Sequence, residues 1–214
     1  MTNLEDLYIL LRNGNLNTLP ITKAHQKMLP PKRKIHPQNR LISPLKSAVL
    51  ILLYQRNNEI FVPFIKRKSF PVDVHSGQIA FPGGKKEKID KDMQATALRE
   101  AEEEIGIKAN IVNLICKISD VYIPPSNFLV SPFIGITYDT PHFIAQESEV
   151  DDIIEIPLEI FLQENIIQYR NIGNYKNIPC FIYQQHIIWG ATAMMMNEFI
   201  YLLKESLQKS SPIK

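Results

Sequence analysis

The chain has 214 residues, of which 45% are hydrophobic and 21% charged; at about 150 residues per domain this is one folded domain with an appendage. Eight glycines against 15 prolines exclude collagen-like and glycine-rich linker classes, and 24 basic against 22 acidic residues, a net charge of +2, give no ground for a nucleic-acid or membrane partner. Cys116 and Cys180 have no CxxC companion, which excludes a disulfide framework and a zinc site and fits reduced thiols in a cytoplasmic protein.

Leu4, Leu7, Tyr8 and Leu11 predict a helix over residues 3–12. Acids precede its apolar run, the wrong order for a secretory signal, and the longest uncharged stretches, 121–138 and 177–197, are broken by prolines or by Gln184, Gln185 and His186. Pro20, Pro30, Pro31, Pro37 and Pro44 predict an extended connection. No acid stands between Asp6 and Glu59, so this connection is basic. Residues 1–46 read as a helix and a proline-rich basic leader, 47–209 as the domain, and 210–214 as a tail. SAVLILLY (47–54) and IFVPFIKR (60–67) predict a β-hairpin joined through residues 55–59.

Met93, Ala97, Ala101 and Ile105 repeat on one face and predict a helix over 92–105, with Asp92 as N-cap and Gly106 as C-cap. Strands are expected at 111–118 and 129–138. Glu147, Glu149, Asp151 and Asp152 then read as an acidic loop. A short helix after Pro157, strands at 180–183 and 186–189 and a last helix over 191–207 complete an α+β order with a mixed sheet. The Met194, Met195, Met196 run reads as core packing on that helix.

On the helix, Glu100, Glu103 and Glu104 stand at i, i+3 and i+4, so their carboxylates are expected to converge. Three like charges there gain nothing for the helix, whereas a hard divalent cation, Mg²⁺ or Mn²⁺, would reverse the sign. Arg99 is placed to pair with a carboxylate and fix its rotamer. The preceding SGQIAFPGG (76–84) delivers the chain through Gly83 and Gly84, whose amides are expected to approach a phosphate or whose carbonyls a metal. The plainer readings are a solvated Glu-rich helix and an ordinary Gly-Gly turn.

The segment GKKEKIDKDMQATALREAEEEIGI (84–107) resembles the Nudix box. Arg99, Glu100, Glu103, Glu104, Gly106 and Ile107 match its pattern; Asp90 stands where a glutamate is usual, and eight residues rather than seven separate it from Arg99. The upstream FIKRKSFPVDVHSGQIAFPGG (64–84) is similar to the coenzyme A pyrophosphatase branch. Ser69, Gly77 and the FPGG run are kept, while Lys68 and Asp73 replace two arginines. VSPFIGI, ESEVDDIIEIPL and IIWGATAMMMNEF extend the likeness to about residues 47–205.

The resemblance implies a Nudix fold, a mixed β-sheet sandwiched between α-helices. It also implies metal-dependent hydrolysis of coenzyme A or acyl-CoA to 3′,5′-ADP and (acyl-)4′-phosphopantetheine. Glu100, Glu103 and Glu104 would hold Mg²⁺ or Mn²⁺; Glu103 or Glu149 would act as general base; Arg99 would orient them; Lys68, His75, Gly83 and Gly84 would meet substrate. His75 also fits a plain loop or cap residue. Two alternatives stand beside this reading: hydrolysis of NADH, ADP-ribose or a damaged nucleotide, and a silent Nudix-like module binding nucleotide or nucleic acid through the basic leader. The expected partner is a small molecule, with a homodimer left open.

Overall fold

The computed structural model describes residues 3–13, 21–31, 43–69 and 77–210. Strands β1 (Leu45–Arg56) and β2 (Glu59–Arg67) form the expected hairpin, but it is tighter than expected. Asn57 and Asn58, at φ 51° and 62°, make a two-residue turn of the kind that matches strand twist, so the strands run on to Arg56 and Glu59. Strand β7 (Phe128–Thr137) lies parallel to β1 along its length, from Leu45 opposite Phe128 to Tyr54 opposite Thr137.

Around this centre the sheet gathers β3 (Ile79–Ala80) on β2, β4 (Gly83–Lys85) on β1, and β5 (Asn113–Lys117) and β6 (Val121–Ile123) on β7. β8 (Val150–Pro157) pairs antiparallel with β2. Sequence reading made this last segment an acidic loop. Its strand is concealed because Asp151 and Asp152 leave one edge in solvent, while Ile154 and Ile156 are buried. A second, three-stranded sheet is a meander of β9 (Gln168–Ile172), β10 (Tyr175–Tyr183) and β11 (His186–Trp189).

Strand β1 is buried on both faces, as a central strand with a parallel neighbour must be. Ala48, Leu50 and Leu52 meet Ala97, Ala101 and Ile105 of helix α3 (Met93–Ile105) on one side. Ile51 and Leu53 belong to the larger core on the other, with Leu4, Leu7 and Leu11 of helix α1 (Leu4–Asn13) and Phe199 and Leu203 of helix α5 (Gly190–Ser210). The sheet is thus sandwiched between helices, as expected. The short helix after Pro157 is α4 (Leu158–Leu162), and Met195 and Met196 are core residues.

The leader departs from expectation. A helix, α2 (Ile21–Lys27), interrupts the extended connection. It is held to α5 by tertiary contacts: His25 Nε2 lies 2.7 Å from Glu198 Oε2, both buried, and Asn197 donates to the Ala24 carbonyl at 2.7 Å. Glu198 also accepts the Ser119 N–H at 3.0 Å. No helix among the described residues is long and apolar enough to cross a membrane.

Candidate active site

Helix α3 carries the site because both of its ends are secured. Asp92 accepts the Ala95 N–H at 2.8 Å, and Gly106 closes the helix in the left-handed conformation at φ 74°. The small face, Ala97 and Ala101, lets the helix lie close on β1, and strand β4, paired with β1, runs beside the glutamates. A Cβ on Gly83 would stand 2.3 Å from the Ala48 carbonyl oxygen, and one on Gly84 would stand 2.5 Å from the Glu100 carboxylate oxygens. Only glycine fits at Gly83, where the obstacle is backbone, whereas at Gly84 it is the end of the Glu100 side chain.

Arg99 organises the polar face. Its Nε and Nη2 donate to Asp90 at 2.9 and 3.0 Å, its Nη2 also to Glu100 at 2.9 Å and to the Lys85 carbonyl at 3.1 Å, and its Nη1 to Glu103 at 2.7 Å. Asp90 is 5% exposed and further accepts the Thr96 hydroxyl and the Glu87 N–H at 3.0 and 2.8 Å. The guanidinium holds the Asp90 carboxyl well below the usual carboxylate range, against the cost of burial. Sequence reasoning recorded Asp90 only as a mismatch and passed over Thr96. The signal available was position: Asp90 occupies the slot where the box places an acid.

The three helix glutamates do not converge as expected. Glu103, more than half exposed, is drawn to Arg99. Glu104 turns inward, 2% exposed, and accepts the Gly83 N–H at 2.7 Å, so that amide is engaged by the protein. Burial pushes the Glu104 carboxyl up to about 8; the Gly83 N–H opposes this, and the neighbouring Glu100 and Glu149 add to it. Burial likewise raises Glu100, against its bond to Arg99. Glu103 and Glu104 are thus held apart by their partners, Arg99 for one and the Gly83 N–H for the other.

Glu149 is brought to the same place by backbone alone. The Ile144 and Gln146 N–H groups donate to the Ile105 and Glu104 carbonyls at 3.1 and 3.0 Å, satisfying orphan acceptors at the end of α3. The Glu149 N–H then donates to the Gln146 carbonyl at 2.9 Å, and its own carbonyl accepts the Lys68 N–H at 2.8 Å. Glu149 is close enough to raise both Glu100 and Glu104. Lys68 is exposed, its ammonium donating to the Glu147 carbonyl. His75 and Asp73 lie outside the described residues.

No three acidic, histidine or cysteine side chains among the described residues are gathered as a ready metal cage. The donor set nevertheless fits a hard divalent cation. Glu104 is buried, accepts the Gly83 N–H, and has Glu100 and Glu149 as neighbouring carboxylates, a cost that coordination to a cation would remove.

Compared with known proteins, residues 44–169 match the NUDIX domain. The chain belongs to the Nudix family. It is 29% identical over 181 residues to the uncharacterized Nudix hydrolase NudL of Photorhabdus laumondii, covering 83% of this chain and 92% of that one. It is 31% identical over 162 residues to the chloroplastic Nudix hydrolase 22 of Arabidopsis thaliana, covering 72% and 53%, so it spans about half the length of that plant relative. Among solved structures, a MutT/nudix family protein from Enterococcus faecalis superposes with a TM-score of 0.53 at 15% identity, over 95% of this chain and 76% of that one, a likeness of fold. This Nudix hydrolase is therefore an enzyme of diphosphate cleavage, in a family that generally uses divalent cations.

Proposed function

We propose that this Nudix hydrolase cleaves the diphosphate of coenzyme A or an acyl-CoA, giving 3′,5′-ADP and (acyl-)4′-phosphopantetheine. The observation that carries the diphosphate reading is the buried Glu104, fixed by Gly83 and crowded by Glu100 and Glu149. The substrate class is supported by the run from Ser69 through Gly77 to FPGG and the longer spacing from Asp90 to Arg99.

Glu100, Glu103 and Glu104 would hold Mg²⁺ or Mn²⁺, which when bound supplies charge neutralisation for the diphosphate and acidifies the attacking water. The chain's own residues do the rest. Glu149, whose backbone is bonded to Gln146 and Lys68, would accept a proton from water approaching phosphorus in line; Glu103 is the second candidate for that role. Arg99, fixed by Asp90, sets the rotamers of Glu100 and Glu103. Gly84 lets β4 lie against Glu100, and Lys68 stands at the rim on the Glu149 side.

The test is a substrate panel with Mn²⁺, separating 3′,5′-ADP from AMP as the released nucleotide. Release of 3′,5′-ADP from coenzyme A is expected. Rapid release of AMP from NADH or ADP-ribose with coenzyme A untouched would move the assignment to the second reading, which Lys68 and Asp73 in place of arginines favour.

A further inference from the structure

Lys66, Arg67 and Lys68 are consecutive in sequence, yet the sheet sends them to different places. Side chains alternate along β2: Ile65 packs with Ala97, Ala101 and Ile105 of α3, whereas Phe64 belongs to the larger core on the other face. Arg67 therefore shares the α3 face with Ile65, and both of its neighbours agree. On one side the Arg67 N–H donates to the Gln78 carbonyl at 3.0 Å, in register with the Ile65–Ala80 pair, and Ala80 packs on the α3 side. On the other side Arg67 stands opposite Val150, a member of the α3-side core, across a register shift that leaves Asp151 as the extra residue of β8. Lys66, opposite Ile79 of the larger core, lies on the reverse face and pairs with Asp151 at 2.7 Å. Lys68 is exposed, with its ammonium on the Glu147 carbonyl.

A half-buried guanidinium is thus set at the sheet end of the carboxylate row. Val150, its partner across the sheet, follows Glu149 directly, and β3 on its other side leads within three residues to Gly83, whose N–H holds Glu104. The Arg67 charge is felt at Glu104, where it opposes the rise that burial produces. Arg99, at the opposite end of the row, is committed to the protein: its Nε donates to Asp90, its Nη1 to Glu103 and its Nη2 to Asp90 and Glu100. A diphosphate lying over Glu100 and Glu104 would therefore meet a second guanidinium from the sheet side. The planar fork of an arginine can hold two phosphate oxygens at once, which the ammonium of a lysine cannot.

We propose that Arg67 is a substrate-binding residue whose guanidinium takes the non-bridging oxygens of the diphosphate, a role that the sequence motif assigns to its neighbour Lys68. The inference rests on the diphosphate-hydrolase reading above and deepens it. It is tested by binding, apart from turnover, on the full-length protein with Mg²⁺. The probes are α,β-methylene-ADP, whose diphosphate analogue resists cleavage, and AMP, which has a single phosphate. In isothermal titration, R67Q is expected to weaken α,β-methylene-ADP by about tenfold or more while changing AMP much less. R67K, which keeps the charge without the fork, is expected to fall between R67Q and the wild type, and it serves in place of R67Q should that variant fail to fold. K66Q, which removes an exposed pair on the reverse face, is expected to stay within about twofold of the wild type. Equal affinity of wild type and R67Q for α,β-methylene-ADP, equal weakening of both nucleotides, or a larger loss in K68Q than in R67Q would overturn the assignment. Arg67-dependent binding with coenzyme A uncut would leave Arg67 in its role and remove the substrate assignment; coenzyme A cut, with Arg67 making no difference, would do the reverse.

Discussion

A Cβ added to Gly84 would lie 2.5 Å from both carboxylate oxygens of Glu100. The obstacle is the end of a flexible side chain, so Gly84→Ala is expected to displace Glu100 while costing within about 1 kcal/mol of stability. At Gly83 the obstacle is the Ala48 carbonyl and Val49 backbone at a φ of 156°, which cannot turn aside. Gly83→Ala is expected to cost about 2–4 kcal/mol. Urea denaturation and turnover measured on both variants would separate them: one loses mainly activity, the other mainly stability. Equal stability losses would show that β4 moves as a unit.

Glu103→Gln keeps the shape of the side chain and a hydrogen-bonding group for Arg99 but removes a charge. Turnover is expected to fall by about 10²–10⁴-fold with the melting temperature nearly unchanged. Glu149→Gln is expected to lose activity on the same scale if it is the base, and to flatten the acid limb of the pH–rate profile. A metal-replete assay showing undiminished rates for Glu103→Gln would remove that glutamate from the site.

Asp90 provides a pH signature. Its carboxyl is lowered in the folded state by Arg99, so its stabilisation is complete above the ordinary carboxylate range near 4 and is lost as pH falls through its depressed folded value. Asp90→Asn is expected to destabilise the protein by about 1.5–3 kcal/mol at pH 7, several degrees of melting temperature. The gap to wild type should narrow steadily below pH 4. A difference that stays constant down to pH 2 would mean that the pair contributes shape rather than charge.

The leader's first helix is part of the fold. Leu7 is fully buried in the core that contains Phe199 and Leu203, so Leu7→Ala is expected to cost about 2–5 kcal/mol. A loss of unfolding free energy below about 0.5 kcal/mol would instead mark α1 as loosely attached.

Periodicity made the long elements legible. The β1–β2 hairpin and α5 follow from their apolar runs, and α3 from its apolar spacing together with Asp92 and Gly106 as capping residues. Strands β3, β4 and β6, of two or three residues each, are too short to show a period and exist because β1, β2 and β7 offer them a partner. α2 was hidden by flanking prolines, since its stability comes from the Glu198 and Asn197 contacts 173 residues away. At the site, the spacing of Glu100, Glu103 and Glu104 disclosed their shared chemistry. The pull of Arg99 on Glu103, the inward turn of Glu104, and the central place of Asp90 depend on distances that no one-dimensional pattern contains.

The packing of α1 against α5 bears on how the chain is made. The core that receives Leu4, Leu7 and Leu11 is not closed until Phe199 and Leu203 arrive, and β1 waits about 80 residues for its parallel partner β7. During synthesis the leucines of α1 therefore have β1 beside them early but lack the α5 side of their core until much later. Such long-range closure favours slow folding, and synthesis of α5, rather than emergence of the catalytic helix, is the event that closes this core.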